Sequence, residues 1–551
     1  MNDDGTGTIV YRTRRTLTMN PNRPVVTHVA VRDGRILATG GADEIARWGA
    51  FPVSDRFADK VLTPGFVEGH SHVTEGAFWR FVYVGFHDRM DPDGRVWPGL
   101  KSLAAVIDRL VEQQRSLAAP DEPLIAWGFD PIYYEDRRCT RADLDRVSTT
   151  RIVILAHASG HIINANSAAL KAVDWLRPGV SHPGIPLGAD GLPDGMLKGP
   201  EAMGPLHAKT MLDRAFLAAD PAGLERFARI ARRQGVTTAT DLASPLTDDV
   251  VDAMLAATGR PDYGLRIVPL LRQLAQPVAQ TIERAIALAA RRTEHFRPGI
   301  VKVVVDGSIQ GFSARLRAPG YLDGSPNGLW YVAPAQLREI LSLGLAKGVH
   351  LHLHTNGDEA TELVLDTMTE LARRQPLGDH RTTLQHCQLA DAAQFRRMKT
   401  LGLCVNLFAN HTFYWGDEHV AQTVGLERAE RMNACATAIA SGVPFSIHSD
   451  APVTPLAPLF TAWCAVNRLS ASGRLLGAAQ RIPQAEALRA ITIGAAYTLG
   501  LDGELGSIEA GKRADFAVLD EDPLAVEPAA LRDVPVWGTV LGGRVFAAAD
   551  A

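Results

Sequence analysis

The sequence predicts an α/β fold, a (β/α)8 TIM barrel joined to a small β domain that both ends of the chain build. Eight short apolar runs, most of them separated by helical patterns, occupy the middle of the 551-residue chain, and this alternation is typical of a parallel barrel. Short alternating runs with turn signals occupy both ends. Chain ends often lie close together, so the two ends are expected to form one unit.

The two ends are interpreted as strands and hairpins. "THVAVRDGRILATG" places the turn RDGR between two alternating runs, and "PVWGTVLGGRVFA" does the same with LGGR near the other end. We therefore assign residues 1–62 and 497–551 to the β domain.

The barrel is expected over residues 63–496. Its first strand ends near His70, and the other seven predicted strands cover residues 235–243, 265–271, 299–307, 348–355, 381–387, 402–408 and 442–450. Residues 74–219, between the first two strands, are too many for a structureless loop. Because this insertion follows a barrel strand, we expect it to fold by itself and to cap the mouth of the barrel.

The composition is that of an ordinary globular protein, with 46% apolar and 21% charged residues. A formal charge of -4 gives no electrostatic reason to bind nucleic acid or anionic lipid. There is no apolar run long enough to cross a bilayer and no secretion signal at the start. The five cysteines are scattered without a CxxC pair, which favours a reducing compartment. We expect a cytoplasmic enzyme.

Polar side chains lie at the ends of the predicted strands. In a barrel the carboxyl ends of the strands meet at one mouth, so these side chains are expected to converge. Imidazole and carboxylate groups together suit zinc or a similar divalent metal. The residues are His70, His72, Lys302, Asp306, His354, His386 and Asp450.

Three histidines alternate on the fifth strand and so share one face. They cannot all reach one ion, because a strand rises by about 3.3 Å per residue. We take His354, nearest the mouth, as the metal ligand. His350 and His352 are expected to fill lower layers of the barrel or to orient other groups.

Lys302 interrupts "GIVKVVVDG", a run typical of a strand buried on both faces. A buried ammonium needs a partner or a chemical change. Burial lowers the pKa of a lysine, and the neutral amine can then add carbon dioxide to form a carbamate that bridges two metals. The alternative, on the residues alone, is an ion pair with Asp306 or another carboxylate.

Several motifs together resemble the metal-dependent amidohydrolase superfamily. They are "PGFVEGHSH", "HTNGD", "LQHCQ" and "HSDAPV", in this order and spacing. "VKVVVDGSIQGFSA" and "SGHIINANSAAL" are similar to the branch that contains N-substituted formamide deformylase, and "LGSIEAGKRADFAVLD" resembles its closing β segment. The resemblance covers essentially the whole chain. It implies a distorted (β/α)8 barrel with a β-sandwich formed by both termini.

The resemblance also implies a binuclear metal centre. Two Zn²⁺ ions per chain are expected, although Mn, Fe, Co or Ni would suit the same ligands. The implied ligands are His70, His72 and Asp450 for one metal, His354 and His386 for the second, and a carboxylated Lys302 between them. Asp450 would also be the general base. Glu68 departs from the family pattern, which usually has Asp before the His-x-His pair.

Four further residues are candidates for the substrate pocket. His411, Tyr414 and Trp415 belong to "NHTFYWGD", which follows the seventh strand, and His161 belongs to the insertion. The alternative for Tyr414 and Trp415 is packing within their own loop, and for His161 a cap of local turns.

The expected reaction is hydrolysis of the C–N amide bond of a small N-acyl or N-formyl amine. A hydroxide activated by the metal would attack the carbonyl carbon. A mononuclear deaminase usually has a glutamate three residues after the fifth-strand histidine, where this chain has Gly357. A lactone or ester hydrolase on the same metal centre and a non-catalytic regulatory barrel are further candidates. The expected partner is a small-molecule substrate, and a homodimer is one candidate oligomeric state.

Overall fold

The central element is an eight-stranded parallel sheet that curls into a barrel. The structure is a computed structural model and describes residues 7–119, 121–134, 138–210, 212–273 and 276–550. The strands pair in chain order and all run parallel. They are β1 (Phe66–Glu68), β2 (Val236–Ser244), β3 (Arg266–Arg272), β4 (Ile300–Val304), β5 (Leu351–Thr355), β6 (Thr383–His386), β7 (Cys404–Leu407) and β8 (Phe445–Ile447). The (β/α)8 prediction is confirmed.

The barrel closes just beyond the ends of β1 and β8. Ser71 and Ala451 form a parallel bridge. The Asp450 amide donates to the carbonyl of His70 at 3.0 Å, and the His72 amide donates to the carbonyl of Ala451 at 2.7 Å. This closure brings the His-x-His pair against Asp450.

Helices cover the outer face of the barrel. Pro221–Arg233 starts with a proline after the N-cap Asp220, whose carboxylate accepts the Ala222 amide at 3.2 Å. Its buried face contains Leu224 and Phe227. The other barrel helices are Asp248–Thr258, Val278–Ala289, Pro334–Ala346, Asp358–Arg374, Ala392–Leu401, Cys435–Ser441, Gln484–Ala490 and Ile493–Thr498. Three more, His411–Glu418, Leu426–Arg431 and Pro458–Asn467, belong to connections after β7 and β8.

Both ends of the chain build one seven-stranded sheet, which confirms the predicted β domain. In spatial order its strands are Arg544–Ala547, Val536–Leu541, Phe516–Leu519, Val53–Pro64, Thr8–Leu17, Val25–Arg32 and Arg35–Gly40. Both predicted hairpins are present in it. The buried Arg266 of β3 forms an ion pair with Asp515 at 2.6 Å, which ties the barrel to this domain.

The insertion after β1 carries a five-stranded sheet of its own. Its strands, in spatial order, are Met196–Lys198, Ile162–Ala165, Val153–His157, Leu124–Phe129 and Val82–Tyr83. Its helices are Thr74–Phe78, Leu103–Ser116, Arg141–Asp145, Ser167–Ala172, Gly199–Lys209 and Arg214–Ala219. None of the helices in the described part of the chain is long and apolar enough to cross a membrane.

Candidate metal centre

His70, His72 and Asp450 meet at the mouth of the barrel. The carboxylate Oδ1 of Asp450 lies 3.2 Å from Nε2 of His70 and 3.2 Å from Nε2 of His72. These three side chains offer ligand atoms within 4.8 Å of one another. The structure thus brings together the three side chains that the resemblance implies for one metal, and their spacing suits one ion.

Hydrogen bonds surround both imidazoles of the His-x-His pair. Nδ1 of His72 lies 2.7 Å from the carbonyl oxygen of Leu242, which can only accept, and it also contacts Nη2 of Arg214, which can only donate. The two contacts favour opposite tautomers of His72, whose Nε2 faces Asp450 at 3.2 Å.

A relay of side chains deeper in the barrel fixes the proton of His70. Nε2 of His352 donates to the carbonyl of Thr498 at 2.9 Å, so its Nδ1 accepts from Nε2 of Gln385 at 2.7 Å. The other end of Gln385, Oε1, then accepts from Nδ1 of His70 at 2.7 Å. Asn406 also donates to that oxygen at 3.0 Å. His352 therefore orients another group, as predicted, and leaves Nε2 of His70 without a proton.

The bare Nε2 of His70 and the carboxylate oxygen of Asp450 thus face each other at 3.2 Å with no proton between them. Protonation of His70 would remove this repulsion, but burial lowers the pKa of His70 to about 4. At neutral pH a cation bound by His70, His72 and Asp450 would remove it instead. The residues present therefore fit a divalent metal.

A second group adds His448, which the sequence analysis missed. His448 follows β8, two residues before Asp450, and both of its ring nitrogens are buried without a hydrogen-bond partner among the described residues. Its ring stacks on His70 at 4.6 Å, and its ligand atom lies within 4.8 Å of those of His70 and His386. The signal was its alternation with Asp450 in "HSD", which places both side chains on one face.

His386 and His354 touch each other directly. Nε2 of His386 is 3.0 Å from Nδ1 of His354, and Nε2 of His354 is 3.2 Å from the carbonyl of Gly307. Nδ1 of His386 has no hydrogen-bond partner in the described part of the chain and points toward Asp450, with its Oδ2 at 4.0 Å. His386 thus presents a free nitrogen to the centre, while His354 would have to exchange a hydrogen bond for a metal.

Lys302 is buried on β4, and its amine makes no hydrogen bond to any described residue. Burial lowers the pKa of Lys302 to about 7, although the negative charge of Asp450 acts to raise it. The alternative of an ion pair with Asp306 is wrong. Asp306 instead accepts the backbone amides of Arg315, Asn356 and Gly357, at 3.0, 2.9 and 2.9 Å, because these loop amides need acceptors.

Glu68 holds the ends of β1 and β8 together. Its carboxylate accepts the amides of His70 and Ser449, both at 3.2 Å, and the Ser449 hydroxyl at 2.9 Å. The glutamate therefore positions both sides of the triad despite its departure from the family pattern. Asp450 (φ 54°) and His386 (φ 72°) also adopt left-handed backbone conformations. Such strain in non-glycine residues persists where the surrounding structure enforces it, commonly at functional sites.

An aromatic cleft lies beside the centre, between the insertion and the loops after β7 and β8. Tyr414 and Trp415 line it, and Val453, three residues after Asp450, forms part of its wall. Insertion residues supply the other rings, which are Tyr83, Phe86, His87 and Tyr133. Trp415 also has a structural contact, because its indole N–H donates a hydrogen bond to the carboxylate of Asp130 at 3.0 Å.

The two remaining candidates lie at different places. His411 is buried behind this cleft, where it stacks on Trp415 at 4.3 Å and shares a 2.7 Å hydrogen bond with His419. His161 reaches the mouth from the insertion, with its ring 6.5 Å from that of His354.

Comparisons with known proteins agree with this geometry. The chain is 28% identical over 544 residues to N-substituted formamide deformylase of Arthrobacter pascens, covering 94% of each chain. It is 26% identical over 535 residues to the Bacillus subtilis (strain 168) protein YtcJ, covering 94% of this chain and 95% of that one. The crystal structure of an uncharacterized metal-dependent hydrolase from Pyrococcus horikoshii OT3 shares the fold, with TM-score 0.72, 18% identity, and coverage of 95% of this chain and 99% of that chain. Residues 58–547 match the model of the amidohydrolase family, and the chain belongs to that family.

Proposed function

We propose that the protein hydrolyses the C–N amide bond of a small N-acyl or N-formyl amine. The observation that carries this proposal is the group of His70, His72 and Asp450, whose ligand atoms lie within 4.8 Å of one another at the mouth of a barrel of the amidohydrolase family. The relative from Arthrobacter pascens is named as an N-substituted formamide deformylase, and this supports an amide as the substrate over a lactone or an ester.

Each residue of the centre has a role in this reaction. A divalent metal, when bound, would polarise the carbonyl and supply a nucleophile at neutral pH. Asp450 would accept the proton of the attacking water and return it to the departing amine, as its carboxylate at the mouth permits. Gln385 and Glu68 hold His70 in position for this step.

The metal content is proposed as two zinc ions per chain. His70, His72 and Asp450 would hold one ion, and His354, His386 and a carbamate on Lys302 would complete the second position. The buried amine of Lys302, unpartnered among the described residues, supports the carbamate, because an uncharged amine is available to carbon dioxide. The carbamate would in turn offset the repulsion between the two cations.

Deamination is disfavoured by the backbone at Gly357. A Cβ at this position would lie 1.8 Å from the carbonyl oxygen of Arg315. No side chain, and so no glutamate shuttle, fits there without a shift of the backbone. Lactone or ester hydrolysis uses the same metal chemistry, and only a substrate panel separates it from amide hydrolysis.

The proposed location is the cytoplasm, and the proposed partner is a small-molecule substrate. All five cysteines are buried, and Cys387, Cys404, Cys435 and Cys464 are free thiols, which suits a reducing compartment.

The test is hydrolysis of a panel of N-formyl and N-acyl amines, with matched lactones and esters, by protein loaded with zinc. Amine release that disappears on chelation and returns with added metal supports the proposal. Cleavage of lactones or esters without cleavage of any amide, or release of ammonia from an aminated heterocycle, contradicts it.

A further inference from the structure

Arg272 is a cation at the mouth of the barrel whose side chain has no partner among the described residues. It is the last residue of β3 and pairs in register with Lys302 of β4. Register partners in a parallel sheet project to the same face, so Arg272 points to the face of the sheet that carries Lys302. Its guanidinium makes no hydrogen bond and no ion pair with the described residues, and it is half-buried.

Arg266 on the same strand differs from Arg272 in having an acid partner, although its Nη2 is buried without one among the described residues. Arg266, six residues earlier on the same strand, pairs with Asp515 at 2.6 Å and donates to Thr238 at 2.9 Å. A half-buried guanidinium without such partners is costly, since its charge and five donors are partly removed from water. The charges and burial around Arg272 lower its pKa to about 10, with burial the largest cause and Arg214 the next.

Arg214 adds a second positive charge from the insertion. Its Nη2 donates to the carbonyl of Leu242 at 2.7 Å and contacts His72, while its Nε is buried without a partner among the described residues. The acids that act on it are Asp241 and Asp450. Asp241 already accepts the amide of Val73 at 3.1 Å. Asp450 is committed to the metal centre.

His161 and Tyr331 lie near the two arginines. Their ring centroids are 5.8 Å apart, and Tyr331 is 39% exposed. Both arginines lower the pKa of His161, after burial, to about 4, so this imidazole adds no positive charge of its own. A bound metal adds further positive charge to the same mouth, and no acid among the described residues faces Arg272.

We propose that Arg272, supported by Arg214, binds a carboxylate carried by the substrate. This inference rests on the proposed function and narrows its substrate class to N-acyl or N-formyl amines that bear a carboxylate near the scissile bond, such as N-formyl amino acids. The planar guanidinium matches a carboxylate with two parallel hydrogen bonds, a geometry that lysine lacks.

The first experiment compares N-formylphenylalanine with its neutral carboxamide as substrates of the metal-loaded enzyme. Wild type should have a kcat/KM at least about tenfold higher for the carboxylate, as expected for one charge-assisted contact. Arg272→Gln should remove this preference while changing kcat/KM for the carboxamide by less than about threefold. Arg272→Lys should restore part of it. Arg284→Gln, on an exposed arginine paired with Asp248 at 2.6 Å, is the matched control.

Equal losses for both substrates in Arg272→Gln, or a wild type that prefers the carboxamide, would overturn the subsite.

A second experiment measures binding without turnover, by calorimetry of the metal-loaded enzyme with 3-phenylpropionate, 3-phenylpropionamide and inorganic phosphate. The affinity for 3-phenylpropionate should fall by about tenfold or more in Arg272→Gln. An unchanged affinity would place the carboxylate on the metal and overturn the subsite, and equal binding of phosphate would overturn the carboxylate assignment. If binding of 3-phenylpropionate depends on Arg272 but no formamide is cleaved, the proposed function fails while the subsite stands.

Discussion

Replacement of Gln385 by methionine should weaken metal binding although Gln385 is not a ligand. The side chain accepts the Nδ1 proton of His70 at 2.7 Å and donates to Nδ1 of His352 at 2.7 Å. It also accepts from Asn406 at 3.0 Å. Methionine fills a similar volume but offers none of these bonds, so the proton of His70 can move to Nε2 and block the metal.

The magnitude follows from the groups left without partners. Gln385→Met leaves three buried polar groups unsatisfied, at a cost of about 1 to 3 kcal/mol each, so a loss of at least about 3 kcal/mol in the free energy of unfolding is expected. Loss of a group that orients a ligand lowers metal affinity by about 10- to 100-fold. Metal affinity is measured by competition with a chelator, and stability by denaturant unfolding of the metal-free protein.

Gln394→Met is the matched control. Gln394 is equally buried and donates to the carbonyl of Asp358 and to Glu362, both at 2.8 Å, but it lies on the outer helix Ala392–Leu401. It should lose stability and keep its metal affinity. If Gln385→Met binds metal within about twofold of wild type, the relay does not set the tautomer of His70, and the reasoning is refuted.

Three other perturbations have defined outcomes. Asp450→Asn should keep the fold, which circular dichroism checks. It should lower kcat by about 10² or more, because asparagine cannot accept a proton. A rate within about tenfold of wild type would place the base elsewhere. Lys302→Ala should lose metal and activity, and short carboxylic acids should restore part of both; full metal content in the variant would contradict a bridging carbamate. Burial raises the pKa of Asp130 from 3.8 to about 6. Its ionised form is therefore disfavoured in the fold, and the stability of wild type relative to Asp130→Asn should fall by up to about 3 kcal/mol as pH rises from about 4 to 7. A difference that does not change with pH in urea titrations would show that Asp130 does not titrate in this way.

The barrel could be predicted from the sequence because local patterns encode it. Each apolar run marks one strand, and the seven strands after the insertion lie within the predicted segments or within one residue of them, as for β5 at Leu351–Thr355. Since strand order fixes which ends meet, the convergence of His70, His72 and Asp450 could also be predicted.

The contacts between side chains could not be predicted in the same way. Asp306 was a plausible partner for Lys302 by spacing, but its carboxylate accepts the amide of Arg315 from its own loop and the amide of Asn356, 50 residues further on. The hydrogen bond between His354 and His386 depends on ring orientations that a strand pattern does not determine. Arg272 stands at the end of β3, and only the surrounding structure, within the described residues, shows that it lacks an acid.

The most direct test of the account is the metal content of the purified wild-type protein after incubation with zinc and removal of excess metal. Elemental analysis should return about two zinc ions per chain, one for the triad of His70, His72 and Asp450 and one for the second position. A protein that retains no metal under these conditions would contradict the central claim, because the lone pair of His70 that faces the carboxylate of Asp450 would then need another explanation.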